Sequence, residues 1–551
     1  MENSMPVLSV SIAFGGYISI IKIIIFLAVF LGWIPLLVWV HGDAKVFETK
    51  GPVWTIVILS AGAVGIFVWL VIPVFIVAML FYLIAVGVTS LAYVKFRNAR
   101  VLDFDRVMTL DHIKSVLVSN EKKIEGLKSF TFITANKNEV PVPEPRTPDF
   151  FGYKVAYEII KDATWRRASS VTMSPTPQDY QVAYNVDGAV LKQPSITKDQ
   201  VEYFIRFIKH LSDLDIEERR KPQKGKFMIH PAKSQNYTYW EVATAGSTAG
   251  EQVRLKQITQ ESAARLNELG LMPEQYEKLK KLREARQGVF IISGPEKSGV
   301  TTTLYAMLRN HDAFLNNINT LEKQPADQLP NITQNVFNLS DTGTTTFAKK
   351  LQTVVRMGPD IVGVANCEDA QTAQVACAAA RDGKLVYIIL KAESVMQALA
   401  LWLKFVGDRS LVAQSLLGIS NQRLLRKLCD ECKQGYTPDK EQFRKFNISA
   451  EKTKVLYRAG KVQYDKRGKP STCEHCQGTG YLGRTGVFEM VTINKELAKV
   501  IQSQQVPEIA KQFRRAKMLY LQEQALRKVI NGTTTINEMI RALKPKEKKP
   551  T

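Results

Sequence analysis

The 551 residues suffice for several domains, and a hydrophobic content of 45% combines a globular composition with greasier tracts. The formal net charge of +22 would suit a nucleic-acid binder. The basic residues are spread along the whole soluble part without an RNA- or DNA-binding signature, however, so nucleic acid is excluded as a partner and an anionic membrane surface is preferred.

Ile23 to Gly42 and Gly51 to Val94 contain no Asp, Glu, Lys or Arg. A helix crosses a bilayer with about 20 apolar residues, so the tracts predict three helices within residues 1–95, near Tyr17–Val40, Val53–Ile72 and Val74–Val94. Pro73 makes the break between the last two, and its tightness leaves two spans with a re-entrant hairpin open as well. Glu2 and the lack of a basic residue before Lys22 exclude a cleaved signal peptide. Lys95, Arg97 and Arg100 follow the last span, whereas Lys45 and Lys50 are balanced by Asp43 and Glu48. By the positive-inside rule the large remainder faces the cytoplasm, and with three crossings the N-terminus lies outside.

Residues 96–149 end in the proline-rich "EVPVPEPRTPDF" and read as a linker. Over 150–274, helical stretches such as Val201–Leu214 alternate with strands such as Tyr180–Tyr184, which precedes a turn at Asp187–Gly188; this is a small α/β domain. Residues 275–428 open on the apolar strand Gly288–Ser293, a glycine loop and a helix starting near Thr301. Two more strands, Asp360–Ala365 and Lys384–Leu390, flank the alanine-rich helix Ala370–Ala380. Such alternation predicts a parallel sheet covered by helices on both faces. The loop, "SGPEKSGVTTTLY" (Ser293–Tyr305), follows the phosphate-loop pattern G-x-x-x-x-G-K-S/T at Gly294, Gly299 and Thr301, but Val300 stands in place of lysine.

Four of the six cysteines form two C-x-x-C knuckles, Cys429/Cys432 and Cys473/Cys476, within a module over 429–490. In a cytoplasmic chain four thiolates in two pairs predict a structural zinc site rather than disulfides. Cys367 and Cys377 read as ordinary buried residues, and His475 as an exposed residue inside a knuckle. Residues 491–543 form a C-terminal helical part, and 544–551 a solvated basic tail.

From about Phe150 to Leu543 the chain resembles the ATPases of type II secretion and type IV pilus assembly. The resemblance is carried by "LDIEERRKPQKGKF" (Leu214–Phe227), "TAGEQV" (Thr248–Val253), "GVFIISGP", "TTLYAML" (Thr302–Leu308), "TTFAKKL" (Thr345–Leu351), "PDIVGV" (Pro359–Val364), "NQRLLRKLCDEC" (Asn421–Cys432), "CEHCQGTGYLGRTGVFE" (Cys473–Glu489) and "LRKVINGTTTINEMI" (Leu526–Ile540), in the family's order. It implies a RecA-like P-loop fold, an ATP/Mg site, a homo- or hetero-hexameric ring with related ATPase subunits, and inner-membrane secretion or pilus components as partners at the bacterial cytoplasmic membrane.

The departures from the family pattern are chemical. A covalent membrane anchor replaces a membrane partner. Val300 removes the point charge that a lysine places on the β/γ-phosphates. The acidic motif G-E-x-R-D becomes Ala365-Asn366-Cys367-Glu368-Asp369, and Asn366 orients a water without accepting its proton. The histidine positions carry Lys384 and Lys391, and "T-I-E-D-P" becomes "TLEKQP", keeping Glu322 and placing Lys323 where the aspartate stood. No catalytic residue is therefore assigned. Weak nucleotide binding is expected from Gly294, Pro295, Lys297, Ser298, Gly299, Thr301, Thr302 and Glu322, because the loop amides and helix start still attract an anion. A divergent active ATPase, with cations from Lys297 or from Arg219, Arg220, Lys226 or Lys256 of a neighbouring subunit, is the alternative.

Overall fold

The structure is a computed structural model that describes residues 19–46, 51–99, 106–108, 126–144, 147–232, 236–258, 264–338, 346–449, 453–460, 463–464 and 470–544. Residues 100–105, 109–125 and 145–146 of the expected linker, Thr345 of "TTFAKKL", and the tail beyond Lys544 lie outside the described residues. The chain divides into two compact units: residues 1–157, 197–211 and 230–235 form one, and residues 158–196, 212–229 and 236–551 the other. The expected 150–274 domain contributes to both.

In the first unit three helices among the described residues are long and apolar enough to cross a membrane. They are α1 (Ile20–Val46), α2 (Gly51–Val71) and α3 (Phe75–Asn98), with Pro73 in the break between α2 and α3. Glycines allow close approach: a Cβ on Gly62 would lie 2.3 Å from the Trp33 indole, and one on Gly65 would lie 2.9 Å from the Tyr82 ring. At the far ends of α1 and α3, Arg97 Nε donates to Asp43 Oδ2 at 2.7 Å, and Tyr93 Oη donates to the same oxygen at 2.7 Å. Trp39 and Trp54 pack on Tyr93 with ring centroids 5.8 and 5.5 Å away. Small residues at contacts and polar residues paired across helices are what a bilayer requires of a helix bundle. Gly62→Leu is expected to destabilise the α1–α2 contact by about 1–3 kcal/mol through overpacking, read as lower resistance of the purified chain to unfolding in SDS.

The segment expected to be a featureless linker contains a folded hairpin, β1 (Phe130–Ile133) and β2 (Glu139–Val140). Phe132 is fully buried and packs on Tyr153 and Phe207, with centroids 5.1 and 5.2 Å away. The prolines that follow from Pro141 dominate the local composition and conceal the short aromatic strand.

The second unit begins with β3 (Ala168–Pro175), β4 (Asp179–Val186), β5 (Ala189–Lys192) and β6 (Ile196–Thr197), followed by β7 (Gln223–Pro231), β8 (Thr238–Ser247) and β9 (Gly250–Ile258). These run β7-β8-β9-β3-β4-β5, the neighbours antiparallel. The predicted turn between β4 and β5 has φ +50° at Asp187 and +80° at Gly188, the left-handed pair that a two-residue hairpin favours.

The larger sheet is ordered β12 (Thr333–Val336), β11 (Ile318–Glu322), β13 (Ile361–Cys367), β14 (Leu385–Leu390), β10 (Gly288–Ser293), β15 (Leu416–Leu428) and β20 (Tyr481–Thr492). All its pairs are parallel except β15 with β20. Val289, Phe290, Ile291 and Ile292 of β10 are fully buried, each apolar side chain contributing about 1.5–3 kcal/mol. Side chains of helices Phe347–Arg356, Ala370–Arg381 and Val395–Val406 build one apolar cluster on the sheet, and those of helix Val300–Arg309 build another. Their alternation along β10, with Val289 and Ile291 in the first and Phe290 and Ile292 in the second, shows the two covered faces. Asp369, the acid retained from the family motif, caps helix Ala370–Arg381 by accepting from Thr372 N at 2.7 Å. Four helices, Lys495–Ser503, Val506–Arg515, Leu521–Ile530 and Ile536–Leu543, follow β20.

Candidate functional site

In a parallel sheet of this kind ligands bind beyond the carboxyl ends of the strands. At that edge β10 leads into Gly294, where a Cβ would lie 2.3 Å from Ser298 Oγ and 3.0 Å from the Gln422 carbonyl. The loop turns through Lys297 (φ +66°) and Gly299 (φ +87°), and Gly299 caps helix Val300–Arg309. Ser298 N donates back to Pro295 O at 3.2 Å. Strand, left-handed turn and helix start thus reproduce the form of a phosphate loop, with Thr301 and Thr302 half-buried in the first helical turn. Ser298 Oγ is buried inside the loop with no hydrogen-bond partner among the described residues. Val300 supplies no charge.

Strand β15 braces this loop, a role that the sequence motif "NQRLL" did not disclose. Gln422 Nε2 donates to Ser298 O at 3.0 Å, and Thr303 Oγ1 donates to Gln422 Oε1 at 2.9 Å. Asn421 Nδ2 donates to Ser293 Oγ and to Ala392 O, each at 2.9 Å. The loop's shape is held by amides and hydroxyls belonging to the protein itself.

The other sequence-singled positions are only partly brought together. Asn366, near the end of β13, accepts from Lys323 N at 3.5 Å. Glu322, expected to serve the nucleotide, is 1% exposed and saturated: its carboxylate accepts from Tyr305 Oη at 2.6 Å, Thr320 Oγ1 at 2.8 Å and Gln334 Nε2 at 3.2 Å. Burial and the Glu322 bond push the Tyr305 phenol well up, so the pair stays one neutral donor and one acceptor. Lys384 precedes β14 and Lys391 follows it, so the two former histidine positions sit at opposite edges of the sheet, about 20 Å apart at the usual strand rise. Only Lys391 reaches the loop's edge. Its Nζ bonds to Glu296 Oε1 at 2.5 Å, and that bond raises the Lys391 pKa.

The two reversed family charges meet: Lys323 Nζ lies 2.7 Å from Glu368 Oε2. Lys226 and Lys256, offered as cations for a neighbour, stand on either side of Glu241 in the β7-β8-β9 register, which places an opposite charge beside each. Arg219 and Arg220 are exposed.

A polar cavity of about 250 Å³ at Glu393, Arg423, Glu489 and Tyr520 was not anticipated. Burial pushes the Glu489 carboxyl up to about 7, against the pull of the Val395 amide, Arg423 and Arg514.

The four knuckle cysteines converge as predicted, with all four sulfurs within 4.8 Å of one another. Cys429 and Cys473 Sγ are 3.9 Å apart, and Cys432 and Cys476 Sγ are 3.6 Å apart. A tetrahedral ion with Zn–S bonds of about 2.3 Å needs sulfurs about 3.8 Å apart, so the donor set fits zinc. Gly480 N donates to Cys476 Sγ at 3.2 Å, as the outer shell of a thiolate site requires. His475 is exposed and outside the set. Cys367 and Cys377 are buried, and burial pushes their thiols up to about 12 and about 11, which leaves them unreactive.

Comparisons with known proteins agree with this architecture. The sequence profile of the family described as Type II/IV secretion system protein matches residues 151–541. The type IV pilus assembly ATPase PilB of Thermus thermophilus is 28% identical over 405 residues, covering 73% of this chain but 44% of that protein. The type II secretion system ATPase E of Vibrio cholerae is 28% identical over 393 residues, covering 71% of this chain and 75% of that one. In fold, the X-ray structure of the Legionella pneumophila ATPase DotB matches with a TM-score of 0.50 at 15% identity, covering 72% of this chain and 96% of that chain. With a braced phosphate-loop turn, a parallel sheet covered on both faces, a tetracysteine cluster and a profile match across most of its length, the chain belongs to the Type II/IV secretion system protein family.

Proposed function

We propose that this chain is a membrane-anchored, hydrolysis-deficient relative of the secretion and pilus motor ATPases, acting as a scaffold or regulator of a type II secretion or type IV pilus-like machine. The reading rests on one observation above the others: the phosphate-loop turn is retained while its chemistry is not. Val300 supplies no cation, Asn366 no base, and the carboxylate of Glu322 is fully engaged by Tyr305, Thr320 and Gln334. A preorganised electrostatic group contributes about 10²–10³ in rate, and a general base about 10²–10⁴. Losing both leaves nothing to drive a motor stroke.

In this reading α1–α3 span the bacterial inner membrane with the N-terminus outside and the second unit in the cytoplasm, since the cations at Lys95 and Arg97 end α3. The tetracysteine cluster holds structural zinc. The nucleotide-shaped loop retains weak ATP/Mg affinity, supported by the helix start and the unpartnered Ser298 hydroxyl. Packing into a ring, of its own copies or mixed with an active ATPase, would deliver the scaffold role to the machine.

The alternative, a divergent active ATPase that powers secretion or pilus assembly, draws support from the intact turn at Gly294–Thr301 and from Lys297 within it. ATP turnover by the purified full chain, with and without lipid, separates the two. No turnover is expected; turnover at ordinary motor rates that Lys297→Ala abolishes would overturn the scaffold reading.

A further inference from the structure

Three cations at the carboxyl edge of the large sheet are held in ion pairs. Lys323 pairs with Glu368 at 2.7 Å and Arg423 with Glu393 at 2.6 Å. Arg423 is further fixed by Asn421 Oδ1 and the Gln422 carbonyl, each at 2.9 Å. The third pair, Lys391–Glu296, differs in two respects. Both side chains are 70% exposed, and the carboxylate belongs to the phosphate loop itself. Strands β10 and β14 run in register with Ser293 opposite Leu390, so the chain places Lys391 beside the start of the loop by backbone pairing alone.

We propose that Lys391 and Glu296 form a displaceable latch across the loop: Glu296 stands in for a phosphate, and a nucleoside triphosphate binds by taking Lys391 away from it. The proposal rests on the reading that the loop retains nucleotide affinity. Chemically, the charge missing at Val300 is supplied from the end of β14 instead of from the helix start. An exposed pair is the right kind of latch, because pairs of this type contribute little and open readily. The anion site it guards has its own marks, namely the loop amides leading into a ten-residue helix and the buried Ser298 hydroxyl without a partner. A triphosphate offers several oxygens to an ammonium that now has one carboxylate, so exchange of partners favours the ligand where the loop amides act with the lysine. The lysine is a positioning and neutralising group for the bound triphosphate.

The test is equilibrium binding of a fluorescent ATP analogue with Mg²⁺ to the full chain in nanodiscs, with pyrophosphate as competitor to show that phosphate groups are what is recognised. Glu296→Gln keeps the side-chain shape and frees Lys391, so affinity is expected to rise about two- to fivefold, the range an exposed pair allows. Lys391→Met is expected to weaken binding about tenfold or more, as for loss of a charged hydrogen bond. The double variant is expected to match Lys391→Met, since the two effects share one contact. Thermal melting of each variant at the wild-type temperature confirms that the fold is retained. Wild-type affinity in Lys391→Met, or no gain in Glu296→Gln while the wild type binds, would overturn the latch and leave the nucleotide reading standing. Absence of binding in every form, Glu296→Gln included, would overturn both.

Discussion

Replacing Glu538 with alanine is expected to destabilise the C-terminal helical part by about 3–5 kcal/mol, the usual result of removing one partner from a buried charge cluster. Glu538 lies in helix Ile536–Leu543, and its side chain is completely buried. Its Oε2 accepts from Arg426 Nε at 3.0 Å, Arg426 Nη2 at 2.8 Å and Arg541 Nε at 2.7 Å, and its Oε1 accepts from the Arg426 backbone amide at 3.0 Å. The Arg426 guanidinium also lies over the Tyr481 ring, 4.1 Å from its centroid. One carboxylate thereby ties the last helix to β15 and β20, and its loss strands two arginines facing each other. Burial alone would raise the Glu538 pKa, but the bonds from Arg541 and Arg426 more than offset it and hold the value below the ordinary glutamate range. For a carboxyl depressed in the folded state, the stabilisation is complete above the unfolded value near 4.5 and is lost as the pH falls through the folded one. Wild-type protection of residues 521–543 from hydrogen exchange should therefore be constant from neutral pH down to about 5 and fall below about 4, whereas Glu538→Ala should lack that acid-dependent loss. Equal protection of this segment in wild type and variant at pH 7 would contradict the assignment.

The parts of this fold that could be read from the sequence are those where one interaction dominates. Val289–Ile292 is uniformly apolar because both faces of β10 are covered, and the glycines at 294 and 299 are required by a close approach and by a positive φ. The cysteine spacing announces its own convergence. The surroundings of the other site residues depend on partners that only the fold brings together. Glu322 reads as a nucleotide ligand in the sequence, and in the fold its carboxylate accepts from Tyr305, Thr320 and Gln334. Lys384 and Lys391 look like one motif, but a fully extended strand separates them. The loop's brace comes from Gln422, 119 residues away from Thr303. Lys323 and Glu368 each read as a loss when taken singly, and only their 2.7 Å contact shows a pair reversed together. The pair ties the ends of β11 and β13 to each other.

Removal of zinc is expected to unfold the module between Cys429 and Cys476 and to release the contact that Arg167, just before β3, makes with its second knuckle. Binding by such cysteine sets carries about 10–16 kcal/mol of apparent free energy at neutral pH, and without the ion four thiolates crowded within one site repel one another. The strands inside the module are too short to hold it unaided: β16 (Gln434–Tyr436) and β17 (Leu456–Arg458) have three residues each, and β18 (Gln463–Tyr464) and β19 (Pro470–Ser471) have two. What the second knuckle supports is visible in Arg167. Its Nη1 donates to the His475 carbonyl at 2.8 Å and to Gln477 Oε1 at 2.5 Å, and its Nη2 lies 3.6 Å from Asp187 Oδ2, which in turn accepts from Gly483 N at 3.3 Å. Arg167 itself sits at φ +56°, in the left-handed region, just before β3. Chelation, or Cys476→Ser, should therefore raise proteolytic cleavage within 429–480 and also raise hydrogen exchange at Arg167–Ser169 and Val186–Gly188, while β10 in the sheet core stays protected. Metal analysis of the purified chain should give close to one zinc per chain. A value below about half an ion, with the module still protease-resistant, would mean that these four cysteines hold their geometry as free thiols.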